Sequence, residues 1–364
     1  MQDPNEILKI CTNILPGYKP RRSLKAKLVA LAEELGDDHF GDVYGNGEGL
    51  AAFEKEVATL LGKEAAVFLP SGIMAQQIAL RIWCERRRNF TVAMHPTAHL
   101  EYAEHGGYTF LHDLKRLQFG APEFLRNRTL TAADFQALGQ EPGVALLELP
   151  YRPLGGPLPP WDELLATRAW ASERGIPLHL DGARLWQCRP FYGKSFAELA
   201  ALFDSVYVSF YKDIGGMCGA MLLGSADFIN EARVWQVRHG GRLYTQGPFW
   251  ASARVGMQRV LPQIDSWVEK AREIGVALAA HPKIAINPSP PHTSQFQLFV
   301  HGDAKVLTER NWELAEKTGT VLFFGLEPSA VPGVATTEIH LGENSLAFNN
   351  SIIAPFLEEL FRIK

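Results

Sequence analysis

SVYVSFYKDIGGMCGAM, residues 205–221, sets a β-rich run directly before a lysine, Lys212, and then a Gly-Gly pair. A lysine closing such a run is out of place in a packed core. Desolvated there, a lysine amine is easier to deprotonate and able to form a Schiff base. The glycines would let chain and ligand come close. A surface lysine with its head in water is the plainer reading, and this stretch alone leaves it open. Working outward, DSVYVSF (204–210) and GAMLLG (219–224) read as strands, IPLHLDGA (176–183) as an earlier strand and WDELLATRAWASERG (161–175) as an amphipathic helix. GVALLELP (143–150), TVAMH (91–95) and AAVFLP (65–70) continue the series toward the N-terminus, with SGIMAQQIALRIW helical after the last. Strands spaced by helices imply crossover connections, so the pattern predicts an α/β fold: a large domain over 46–250 with a mostly parallel sheet between helices.

The flanks read differently. Residues 1–50 look irregular, and GDDHFGDVYGNGEG (36–49) holds too many Gly and Asp residues for a helix; 1–45 is therefore expected to be an arm with a loop. AAFEKEVATLLG (51–62) is a helix ending at Gly62. A long helix is expected from Trp250 to about Ala280, then strands at SQFQLFVHG (294–302), TVLFF (320–324) and TTEIHL (336–341), with helices near 305–318 and 351–363. That makes 251–364 a smaller α+β domain.

The bulk numbers narrow the function class. With 364 residues and 46% hydrophobic content, the chain buries one large core and a smaller one. A net charge of −4 points away from polyanion partners, so neither nucleic acid nor a membrane surface is expected; Arg86-Arg87-Arg88 and Arg21-Arg22 read as local solvated faces. Cys11, Cys84, Cys188 and Cys218 lack disulfide density and metal-ligand spacing, so a reducing, cytoplasmic setting and no metal are expected. MQDPNEILKI does not resemble a secretory signal, and no apolar run is long enough to span a bilayer.

Ligands of open α/β sheets sit outside the carboxyl ends of the strands. Two further strand ends carry unusual chemistry. In LPSGIM (69–74), Ser71-Gly72 opens a helix whose free N–H groups suit a phosphate, and Gly72 would admit it closely; a simple Ser N-cap is the alternative. In HLDGARL (179–185), Asp181 directly follows an apolar strand. A buried carboxylate is costly without a cation or strong donor, and a pyridinium N–H is such a partner. An Asp-Gly turn is the plainer reading. Arg184 could pair internally or reach a substrate carboxylate. Taken together, a phosphate cradle, a ring-nitrogen partner and a Schiff-base lysine are the parts of a pyridoxal 5'-phosphate (PLP) site.

The stretches GDVYGNGEGLAAFEKEVATLLGKEAAVFLPSGIMAQQIAL, PLHLDGARLW and FDSVYVSFYKDIGGMCGAMLLGSADFI resemble the low-specificity L-threonine aldolases, within the aromatic amino-acid β-eliminating lyases of fold-type I PLP enzymes. The resemblance implies a fold-type I, transferase-like fold with a seven-stranded-type sheet. It implies a PLP-dependent lyase that cleaves the Cα–Cβ bond of a β-hydroxy-α-amino acid to glycine and an aldehyde. It also implies a homodimer or homotetramer with shared active sites. Lys212 is similar to the cofactor-bearing lysine, Asp181 to the nitrogen partner, and Arg184 to the arginine reaching the cofactor hydroxyl and substrate carboxylate. Ser71 and Gly72 match the phosphate loop, His99 the histidine stacked on the ring, and Tyr44 a tyrosine near the site, often given across a subunit interface. Arg242, in HGGRLYTQG (239–247), lies where the family has a Gly-rich loop near the phosphate; an ordinary surface loop is the other reading.

The departures fall mainly on substrate handling. Ile73 stands where the family has Thr, Tyr211 where it has Ser before the lysine, Tyr151 where a histidine handles the β-hydroxyl, and His340 where a C-terminal arginine holds the α-carboxylate. KICTNILPG replaces the usual N-terminal Leu-Arg-Ser-Asp run. His99, Tyr151 or a water could be the base. The altered positions keep a β-elimination or other side-chain cleavage, and a non-catalytic PLP-binding role, as competing expectations.

Overall fold

The apolar runs of the first half become a seven-stranded sheet. Its strands are β1 (Ala65–Leu69), β2 (Thr91–Ala93), β3 (Lys115–Leu117), β4 (Val144–Glu148), β5 (Leu178–Gly182), β6 (Ser205–Ser209) and β7 (Ala220–Gly224). Their spatial order is β1-β7-β6-β5-β4-β2-β3. From β3 through β6 neighbours are parallel; β7 runs antiparallel to both β6 and β1. β4, β5 and β6 are buried at every residue. Parallel strands covered on both faces have no wet side, which is why these three read as continuous apolar runs. The structure, a computed structural model, describes residues 3–17, 23–35, 41–120, 125 and 127–362; the arginine pair at 21–22 and the loop residues 36–40 lie outside them.

Helices α1 (Glu48–Leu60), α2 (Gly72–Arg87), α3 (Trp161–Glu173), α4 (Ala226–Arg238) and α5 (Gly247–Arg259) belong to the same unit. α2 and α4 cover one face, where Ala75, Ile78, Ile82, Phe228 and Ile229 pack with Val67, Leu69 and Leu222. The alternate residue of β1, Phe68, turns to the opposite face and meets Phe53 of α1 and Phe210.

Chain packing forms two units: the larger holds Arg22–Tyr151 and Leu158–Pro262, the smaller Met1–Arg21, Arg152–Pro157 and Gln263–Lys364. The smaller unit contains α6 (Ile264–Ala279), β8 (Ile284–Asn287), β9 (Gln295–His301), α7 (Ala304–Thr318), β10 (Glu327–Pro328), β11 (Val334–His340) and α8 (Ile353–Phe361). Its sheet is antiparallel, ordered β10-β11-β9-β8. Ile274, Leu278, Phe296, Leu298, Ile339 and Leu357 form much of its core.

Three expectations need correction. Residues 1–50 are not irregular throughout: helices run over Pro4–Ile10, with Asp3 as cap and a proline in the first turn, and over Leu24–Glu34, capped by Ser23. The long helix from 250 to 280 is two, α5 and α6, separated by a turn at Leu261–Gln263. Pro262 lacks the N–H that helix continuation needs and pushes its predecessor off helical geometry. Of TVLFF only Thr320–Val321 is a strand, paired in parallel with Asn13–Ile14.

Candidate functional site

β5 ends at the carboxyl edge of the larger sheet with Asp181 and Gly182. Across the ladder Asp181 stands beside Glu148 on β4 and Tyr207 on β6. It is buried. One carboxylate oxygen accepts the Ala183 N–H at 3.0 Å, closing the Asp-Gly turn, and the other accepts from the Gln76 side chain. Lys212 follows β6 by three residues, past buried Phe210 and exposed Tyr211, and its Nζ lies 5.9 Å from the Tyr211 ring centre. The Gly-Gly pair serves the backbone. Gly215 has φ +76°, and a Cβ on Gly216 would meet Phe210 O at 3.0 Å and Ala253 Cα at 3.2 Å.

Two buried carboxylates that sequence reasoning missed complete the neighbourhood. Glu148 Oε1 accepts the His99 backbone N–H at 2.7 Å, and Glu104 Oε1 lies 2.9 Å from His99 Nδ1. Burial, reinforced by the charge of Asp181, pushes the Glu148 carboxyl well above the usual range, while Lys212 pulls the other way. Glu104 Oε2 is buried with no hydrogen-bond partner. A carboxylate at Glu104 fixes the His99 proton on Nδ1 and leaves Nε2 as an acceptor. Contacts and ladder register thus join His99, Glu104, Glu148 and Asp181, and the charge of Lys212 reaches Glu148.

The Ser71-Gly72 turn opens α2. Ser71 is an N-cap, its Oγ accepting Met74 N–H at 3.2 Å. Gly72 is required by a protein neighbour: a Cβ there would lie 1.9 Å from the Tyr207 hydroxyl. Ile73 is exposed. The 239–247 loop approaches this helix end, because a Cβ at Gly241 would meet Met74 Sδ at 2.3 Å. Arg242 is exposed, with Nε donating to Tyr44 O at 2.7 Å; Tyr44 N–H donates to Tyr244 O at 2.7 Å, and their rings meet edge to face. Asp42 holds this cluster by accepting Gln246 N–H at 2.8 Å and Trp250 Nε1–H at 3.2 Å. Tyr44 has φ +49°, a conformation unusual for a non-glycine residue.

Arg184 follows β5 and its Nε is buried with no hydrogen-bond partner. Tyr151 is wholly buried beside His95, and its hydroxyl faces the Leu130 backbone without a well-formed hydrogen bond. Burial, with the charge of Glu148, raises its pKa far above the ordinary phenol value, so it keeps its proton near pH 7 and does not serve as a base. His340 belongs to the smaller unit, where its Nε2 contacts Glu338 and Arg152 reaches the same carboxylate at 3.1 Å. Burial would raise Glu338, but His340 and Arg152 hold it at about 2.

These groups fit PLP. A cluster of buried acids needs a cationic partner such as a protonated ring nitrogen, the orphaned Arg184 Nε needs an acceptor, and the first turn of α2 has N–H groups that helix geometry leaves without intrahelical partners. The sequence pattern of beta-eliminating lyases matches residues 26–302. A low specificity L-threonine aldolase of Escherichia coli O157:H7 is 30% identical over 268 residues, covering 70% of this chain and 77% of its own. Among solved structures, a protein from Listeria monocytogenes EGD-E assigned as an L-allo-threonine aldolase is 36% identical, with TM-score 0.89 over 99% of this chain and 98% of its own. One from Exiguobacterium sp. 255-15, assigned as an aromatic amino acid beta-eliminating lyase/threonine aldolase, is 35% identical with TM-score 0.90 over 98% of each chain.

Proposed function

The chain belongs to the beta-eliminating lyase family, and from that premise we propose that it is a PLP-dependent lyase cleaving the Cα–Cβ bond of a β-hydroxy-α-amino acid to glycine and an aldehyde. The observation that carries the reading is Asp181 buried at the end of β5 beside Glu148, which accepts the His99 backbone N–H and feels the charge of Lys212. The names of the relatives support the substrate class.

In this reading Lys212 would hold PLP through Nζ, and Asp181 would keep the proton on its ring nitrogen. Ser71, Gly72 and the first turn of α2 receive the phosphate, with Arg242 from the neighbouring loop; Ile73 adds backbone only. His99 would lie against the cofactor, and Arg184 would bind the cofactor hydroxyl and the substrate carboxylate. When bound, PLP supplies an electron sink for the pair left on Cα. The substrate's β-hydroxyl proton goes to His99 Nε2, the acceptor left by the Glu104 contact; the Cα–Cβ bond breaks, and a proton returned to Cα completes glycine, so atoms balance. Tyr151 acts as donor, not base. Tyr44 lies at the rim, and in a homodimer or homotetramer this exposed loop, with Tyr44 51% and Tyr244 65% exposed, would meet a second subunit. His340, already paired with Glu338, is a weaker carboxylate ligand than arginine. A cytoplasmic setting accompanies the reading; among the described residues no helix is long and apolar enough to cross a membrane.

Since Tyr151 cannot serve as the base, a second reading is β-elimination of another amino acid. The test is the visible absorbance of PLP-loaded protein with L-threonine, L-allo-threonine, phenylserine and glycine, together with product analysis. Aldehyde plus glycine supports the lyase reading; pyruvate plus ammonia replaces it with elimination. Lys212→Ala is expected to abolish turnover, and near wild-type activity in that variant would sink the scheme. Bound PLP with no turnover of any amino acid would leave a binding protein.

A further inference from the structure

Asp181 terminates a hydrogen-bond chain through the interior of the larger unit. Gln76 Nε2 donates to its carboxylate. Gln76 Oε1 lies 2.7 Å from His179 Nε2, and His179 Nδ1 lies 2.7 Å from Ser205 Oγ. Trp83 Nε1 donates to that same oxygen at 2.8 Å. Gln76, His179, Ser205 and Asp181 are all buried, His179 and Ser205 with no exposed surface. Elementary periodicities assemble them. His179 and Asp181 alternate onto one face of β5, Ser205 pairs with His179 across the ladder, and Gln76 and Trp83 stand two turns apart on one side of α2.

The direction of every bond follows from donor chemistry. An ionised carboxylate only accepts, so Gln76 turns its NH2 to Asp181 and its carbonyl to His179. His179 Nε2 must then carry a proton. Burial presses the His179 pKa down to about 3, against a smaller upward pull from the Ser205 backbone, so the ring is neutral near pH 7 and Nδ1 is bare. Ser205 therefore gives its hydroxyl proton to Nδ1 and accepts from Trp83, whose indole N–H only donates. Each member has one orientation, and all donors run toward Asp181. In an interior of low polarity such aligned bonds reinforce one another.

We propose that Gln76 and His179 are positioning residues for the cofactor: the chain from Trp83 to Asp181 fixes the orientation of the carboxylate, so that it grips a protonated ring nitrogen. The proposal rests on the PLP reading above. Because Gln76 rides on α2, whose first turn is assigned the phosphate, one rigid helix sets the spacing between the two ends of the cofactor.

The first measurement is nitrogen-15 NMR of His179 in the full-length PLP-loaded protein. A neutral ring protonated on Nε2 at pH 7 is expected; a proton on Nδ1 alone, or a charged ring, overturns the proposal without any variant. The second is PLP titration of wild type, Gln76→Met, Ser205→Ala and Ser205→Thr. A hydrogen bond to a charged group corresponds to roughly tenfold to a hundredfold in a binding constant. Gln76→Met is expected to weaken PLP by about tenfold or more and to change the absorbance of the bound cofactor. Ser205→Ala should do so less, and Ser205→Thr, which keeps the hydroxyl, should recover it. Wild-type binding with unchanged affinity and absorbance in Gln76→Met sinks this proposal alone. A wild-type chain that binds no PLP sinks the cofactor reading and this proposal with it.

Discussion

At Gly72 a single methyl would collide with the Tyr207 ring, 1.9 Å from its hydroxyl and 2.4 Å from Cζ. Both partners are buried in a packed helix–sheet contact, so neither can give way cheaply. Gly72→Ala should cost about 1–3 kcal/mol or more. Tyr207→Leu also costs stability, through lost burial, but removes the obstructing atoms. In a urea-unfolding double-mutant cycle the pair is therefore expected to be less destabilising than the sum of its singles; strict additivity would refute the contact. Glu148 offers a second test. Burial and Asp181 favour its neutral form, so Glu148→Gln, which keeps an acceptor for His99 N–H, should melt close to wild type. Glu148→Leu orphans that N–H and should cost about 1–3 kcal/mol. Lys212 and Asp181 were legible in the sequence because a polar residue right after an apolar run marks a strand end. Glu148, Gln76 and Glu104 were not. Glu148 lies inside the apolar strand GVALLELP (143–150) and Gln76 inside the helix that follows Ser71, where nothing local marks either one, and Glu104 stands in a stretch with no such strand end; only ladder register and helix phase bring them to the site.

α2 does two jobs with one N-terminus, and substitutions at Ser71 separate them. Its hydroxyl caps Met74 N–H; Ser71→Ala should lose about 1 kcal/mol by denaturant unfolding. Ser71→Asp restores a capping oxygen and suits the helix dipole, so the apoprotein should unfold near wild type. It also sets a negative charge where the phosphate is assigned, so PLP should bind much more weakly by spectroscopic titration. If Ser71→Asp binds PLP as wild type does, the phosphate assignment fails while the cap stands. Elements were legible where apolar runs were long: β1, β4, β5, β6 and β7 all fall inside their expected ranges. Lys115–Leu117 escaped because three residues, two of them basic, carry no apolar period. The helix over Leu24–Glu34 buries none of its residues, so its pattern carries no inward face to read.

Among the described residues, buried histidines tie stability to acid. Burial first of all holds His179 at about 3 and His112 at about 4, below the unfolded value near 6.5. A folded pKa below the unfolded one means that the unfolded chain binds more protons between the two. Stability therefore falls as pH drops through about 6.5, and each such group stops contributing to the slope below its folded value. Glu148 and Glu54, raised by burial, work in the opposite sense, so the total slope is a poor test and a difference is needed. His112 supplies it. Both ring nitrogens are buried without partners, His239 stacks on it at 5.0 Å, and Trp235 meets it edge-on. His112→Phe keeps the aromatic contacts and removes the proton uptake. Between pH 6.5 and 4 the variant should lose stability more slowly than wild type, by up to about 1.4 kcal/mol per pH unit. It should be at least as stable at pH 5, since no unpartnered ring nitrogen is left buried. Urea unfolding at pH 7, 6 and 5 measures both slopes. Parallel lines would mean that His112 titrates alike folded and unfolded, and that its buried nitrogens are reached by water.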